Sequence, residues 1–171
     1  MRWRSVGEVN CSVARTLAVI GERWTMLILR EAFMGRRRFD DFQRNIGIAR
    51  NILATRLRAL VKDGILERSR ADGEHARVEY RLTKKGMDLY PVMVAMLKWG
   101  DAWLWPSGDK GPPIQLVHRG CGAKAMPSLV CPHCGDPVGA RDMIPVARRA
   151  AHPARRTERI ERRPRVPLIT R

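Results

Sequence analysis

The chain has 171 residues, with 33 Lys and Arg against 17 Asp and Glu, a net charge of +16 and 44% hydrophobic residues. This length fits one domain with an appendage or two small domains, and the basic excess favours polyanionic partners through steering and counterion release. The longest apolar runs, such as Met26-Leu27-Ile28-Leu29, fall far short of the ~20 residues that cross a bilayer.

Met1-Arg2-Trp3-Arg4 leads into polar Ser5, Gly7, Glu8 and Asn10 rather than an apolar signal region. A cytoplasmic chain with no membrane partner is therefore expected, its thiols kept reduced. Ser12 is expected to cap a helix running to Ile20, with Val13, Leu17 and Ile20 on one face. Arg23 to Met34 repeats the pattern with Trp24, Leu27, Ile28 and Leu29 as core candidates, and Gly35 stops it. After Arg36-Arg37-Arg38, Phe39, Phe42 and Ile46 recur at helical spacing, with Asp40 and Asp41 suiting the helix dipole. Gly47 turns the chain into a helix over 49–63, whose inward stripe is Leu53, Leu57, Leu60 and Val61.

The other face of that helix carries Arg50, Asn51, Thr55, Arg58 and Lys62, with Arg56 at the boundary and no acid before Asp63. Such a face is often merely solvated. As the second helix of a short helix–turn–helix, it suits a major groove, where Arg, Asn and Thr meet phosphates and base edges. Ile65 to Arg68 and the alternating Arg77 to Leu82 then read as a ribbon, so the fold class is mainly α with a small β-wing (68–78). Arg36, Arg37 and Arg38 are expected at phosphates and Arg77 on the wing. Thr83 should cap a long helix to Trp103, kinked or restarted at Pro91. Its many apolar residues either complete the core or pair with a second copy.

In order, Cys11-Ser12-Val13-Ala14, Gly21-Glu22-Arg23-Trp24, Leu27-Ile28-Leu29-Arg30-Glu31, Gly35-Arg36-Arg37-Arg38-Phe39, Leu53-Ala54-Thr55-Arg56-Leu57, Asp63-Gly64-Ile65-Leu66 and Val78-Glu79-Tyr80-Arg81-Leu82-Thr83 resemble the HxlR-type, MarR-related bacterial transcriptional regulators. The resemblance covers about residues 8–104. It implies a winged-helix homodimer, built by the first and last helices, that binds double-stranded operator DNA in the nucleoid. The family often places Ser-Pro before the recognition helix; Ala49, Arg50 and Asn51 stand here instead, which changes the expected operator. Cys11 matches a cysteine that serves as a thiol sensor in some members, although a small buried residue before a helix is the plainer reading.

Beyond a linker at 106–113, residues 114–146 carry two short knuckles, His118-Arg119-Gly120-Cys121-Gly122 and Cys131-Pro132-His133-Cys134-Gly135. In each, two S/N ligands are three positions apart and a glycine follows, a spacing that chelates one ion around a tight turn. A small zinc ribbon with structural Zn2+ on His118, Cys121, Cys131 and Cys134 is expected, with His133 the less natural alternative to His118. A redox dithiol at Cys131 and Cys134, unligated thiols, or iron lacking its fourth thiolate are the competing readings.

Charge divides by segment. Residues 1–105 hold 20 basic and 12 acidic residues, whereas 147–171 hold nine arginines and two glutamates, with three prolines and no Phe, Trp or Tyr. That tail is expected to be disordered, either solubilising or a non-specific nucleic-acid anchor. A non-enzymatic, DNA-binding repressor is the leading reading. A non-specific architectural or RNA-associated protein and a thiol–disulfide protein are the alternatives; there is no Gly-rich phosphate loop, Gly-x-Ser-x-Gly or His-Glu-x-x-His.

Overall fold

Apolar periodicity becomes α1 (Ser12–Ile20), α2 (Thr25–Phe33), α3 (Phe39–Ile46), α4 (Arg50–Lys62), β1 (Leu66–Arg70), β2 (Val78–Leu82), α5 (Lys84–Met87) and α6 (Tyr90–Trp103). The computed structural model describes residues 7–70, 77–105 and 111–146. The wing tip at 71–76, the linker at 106–110 and the basic tail at 147–171 lie outside the described residues. Two compact units are present, one ending at Pro127 and the other beginning at Ser128, so their boundary falls between the two knuckles.

The core of the first unit is a closed set: Ile28 and Leu29 of α2, Phe42 of α3, Leu53, Leu57 and Leu60 of α4, and Leu66 of β1 are buried. Ile48 and Ile65, in the connections, join them. Phe42 meets Tyr80 of β2 edge to face at 6.5 Å, tying the third helix to the ribbon. One charge is buried here, which periodicity gives no means to foresee. Glu31 accepts from Arg30 Nε and Nη2 at 2.9 and 2.7 Å and from Asn45 Nδ2 at 2.9 Å, so its carboxylate is satisfied by α2 and α3 together.

Two local expectations change and a third holds. Ser12 is not the cap of α1; the chain enters the helix through extended Cys11, which makes no side-chain cap bond. Val13 and Leu17 were expected to face the core with Ile20, but both are exposed and Ile20 alone of the three is buried. The restart expected at Pro91 is present: the stretch from Lys84 to Trp103 is two helices. Thr83 Oγ1 accepts from the Gly86 N–H and donates to the Gly64 carbonyl, closing a short turn against the strand entry. Pro91, with no N–H to offer a preceding turn, then sits in the first turn of a fresh helix, where that loss costs nothing.

β1 and β2 pair antiparallel with Leu66 opposite Leu82, Arg68 opposite Tyr80 and Arg70 opposite Val78. The arginine triplet lies along this ribbon. The Tyr80 N–H donates to the Arg37 carbonyl at 2.8 Å, and Arg38 bridges to Glu79 as a short antiparallel edge.

Candidate nucleic-acid interface

α3 and α4 form the helix–turn–helix. Gly47 closes α3 in the left-handed region (φ 72°), its N–H donating to the Gln43 carbonyl, and Ile48 plugs the turn into the core. Leu53, Leu57 and Leu60 fix the rotation of α4, so that Arg50, Asn51, Thr55, Arg58 and Lys62 stand exposed. Thr55 Oγ1 donates to the Asn51 carbonyl at 2.9 Å, and Arg58 Nη2 reaches Thr55 Oγ1 at 3.4 Å. Asn51 Oδ1 accepts the Ile52 N–H at 2.9 Å, which orients its amide with the NH2 group left as the donor it can present.

No acid of α4 itself touches this face, but one arrives from α3. Arg50 Nη1 stands 3.6 Å from Asp40 Oδ1, and its guanidinium lies 4.7 Å from the Phe39 ring centroid. Arg50 is therefore tethered to the preceding helix, and still largely exposed. Arg56 differs more from expectation. It turns inward, with Nη2 3.3 Å from Glu22 Oε2, and its Nε is buried without a partner. The structure gives Arg56 a partner within the chain rather than a place on the open face.

Arg36, Arg37, Arg38 and Arg77 are exposed, as is the outer end of β1. Arg68 and Arg70 fall within the expected wing, though neither was named as an individual contact residue; the alternation of β1 from Leu66 carries both onto one side of the wing. Their signal was the ribbon's two-residue period continued two residues further. The resulting assembly is a rigid helix with donors on its open face, flanked by an arginine edge and a basic wing. It can hold phosphates and present donors to base edges.

Cys11 is exposed at the start of α1. In the knuckles, His118 Nδ1 lies 3.3 Å from Cys121 Sγ. The Cys131 thiol is held below its ordinary range by the backbone N–H of Cys134, then by that of His133 and by the Cys134 side chain. The structure thus brings the four expected ligands together as two pairs. Among the described residues, no three His, Cys, Asp or Glu side chains gather at one point.

The profile of the HxlR-like helix-turn-helix family matches residues 19–107. The chain belongs to this family. An uncharacterised HTH-type transcriptional regulator of Mycobacterium tuberculosis is 48% identical over 134 residues, spanning 78% of this chain and 84% of that protein. Among solved structures, PA1607, described as a transcription factor, superposes with a TM-score of 0.73 at 39% identity, covering 81% of this chain and 96% of that one. The redox regulator HypR in its oxidised form gives 0.51 at 35% identity, over 54% of this chain and 96% of that one. The fold is thus the winged helix of a transcriptional regulator. Among the described residues, no helix is long and apolar enough to cross a membrane.

Proposed function

We propose that this HxlR-like regulator binds a two-half-site operator as a homodimer and represses transcription by occluding the promoter. The observation that carries the reading is the open face of α4, where Asn51, Thr55 and Arg58 stand exposed on a helix locked by Leu53 and Leu57. A face held this firmly presents its donors in one register, which direct readout of a major groove requires. The edge at Arg36–Arg38 and the wing at Arg68, Arg70 and Arg77 supply phosphate contacts on either side.

The homodimer is supported by the apolar faces left open on α1 and α6, and two copies would set their recognition helices about 34 Å apart, one turn of duplex. Selection of bound genomic fragments, followed by substitution, tests the function. One enriched motif with two half-sites is expected. Asn51→Ala and Arg58→Ala should each cost about 1–3 kcal/mol on that motif and less on random DNA. Arg37→Ala should weaken all sequences alike and lower the salt slope by about one. No enriched motif, or equal losses on selected and random DNA for every variant, would favour a non-specific architectural protein instead.

A further inference from the structure

α6 carries apolar residues on two faces. Trp99 and Trp103 stand exposed on one. On the other, Tyr90, Val94, Leu97 and Asp101 recur at intervals of three and four and line a cavity of about 580 Å3 within the first compact unit. Phe33 of α2 and Ile114 complete its walls. Phe33 meets Tyr90 edge to face at 5.3 Å, so one wall is aromatic and held in place. Trp99 and Trp103 are not among the lining residues, so the cavity is distinct from the surface they offer to a second copy. Its volume is that of a site for a drug-sized molecule.

Gly100 also lines this space. Glycine within a helix is destabilising relative to alanine, and here neither dihedral angle nor packing demands it. Its φ is not positive, and beyond its own stretch of helix a Cβ there would meet nothing within 4 Å. What the missing side chain provides is room. Two lining residues are charged, and they are not equivalent. Arg30 is already engaged, its Nε and Nη2 both donating to Glu31 Oε1. Asp101 enters no ion pair among the described residues. It stands in the last turn of α6, which has no basic side chain, so its charge adds to the negative end of the helix dipole.

We infer that this cavity binds a lipophilic organic cation, an ammonium or phosphonium whose charge is carried among apolar or aromatic groups. The apolar body fills the space left over Gly100, against Leu97 and the Phe33–Tyr90 pair. The charge is matched by Asp101 and the helix end, and the ring faces attract it further. An anion would meet that carboxylate as a like charge. An uncharged molecule of the same shape gains the apolar contact alone.

Titration calorimetry of the full chain, without DNA, tests the site with methyltriphenylphosphonium and its uncharged analogue triphenylphosphine oxide. About one cation per chain is expected, with a Kd of about 10–100 µM. The oxide should bind at least about tenfold more weakly. Asp101→Asn should bring the cation down to the level of the oxide. Gly100→Leu, whose side chain fills the cavity, should abolish binding of both while far-UV circular dichroism and the urea midpoint are retained. No saturable binding at millimolar cation overturns the site, and so does a folded Gly100→Leu that binds as the parent does. Equal affinities for cation and oxide, unmoved by Asp101→Asn, overturn the class of ligand. Binding that fades as the chain associates at rising protein concentration gives the cavity to a second copy and overturns the proposal as well.

Discussion

Arg56 illustrates how one side chain can leave a functional face without leaving its helix. Its guanidinium reaches Glu22, in the connection before α2, and the pair is half-buried, with side chains 27% and 40% exposed. Arg56→Ala should therefore lower stability by about 1 kcal/mol through the lost pair and the packed stem, while the ratio of affinities for selected and random DNA stays unchanged. Arg58→Ala should do the reverse: stability within about 0.5 kcal/mol of the parent and a reduced ratio. Urea melts and paired binding titrations measure both quantities. A parent-like melt with a collapsed ratio for Arg56→Ala would return that residue to the groove. The helical period placed Arg56 at the boundary of the face, and that much was legible. What drew it inward was not, because Glu22 is brought there by the tertiary fold. Glu31 was hidden for the same reason: its partner Asn45 lies on another helix.

At the scale of elements, existence and type were largely written in the chain, and junctions were not. Glycines 35, 47 and 64 end their helices with positive φ, so three boundaries could be read from residue type alone. The restart at Pro91 was legible too, but the need for Gly86 within α5 was not. A Cβ on Gly86 would run into the Ile65 carbonyl, a backbone atom that cannot swing aside. Gly86 is thus required by close approach rather than by its dihedral angles, and no local pattern reveals that. Gly86→Ala should destabilise the winged helix by about 1–3 kcal/mol, seen as a lower urea midpoint at unchanged slope. A parent-like midpoint would mean that the ribbon and α5 can separate at little cost. Arg36, Arg37 and Arg38 were singled out, but their place along the ribbon was not foreseen, on similar grounds. Three consecutive arginines carry no strand signal, and it is Tyr80 and Glu79 of β2 that draw Arg37 and Arg38 into line.

For the whole molecule, the apolar side chains that α6 leaves exposed are where the proposed homodimer would form. Leu89 and Met93 pack against the core, but Met96, Trp99 and Trp103 are 52%, 58% and 74% exposed, as is Val13 of α1 at 67%. Large apolar groups grouped on one surface mark a protein contact, and a second copy of the same surface is a partner always at hand. Trp99 and Trp103 are one helical turn apart, so a single face of α6 is enough to dock on its counterpart. The variant Met96→Glu/Trp99→Asp should therefore sediment as a monomer with unchanged far-UV circular dichroism. Each of its winged helices should still bind a half-site as the parent does. Its affinity for the full operator should fall by about a hundredfold or more, because the second half-site contact is no longer intramolecular. A variant that remains dimeric would place the interface elsewhere, and a monomer that keeps full operator affinity would remove dimerisation from the mechanism of binding.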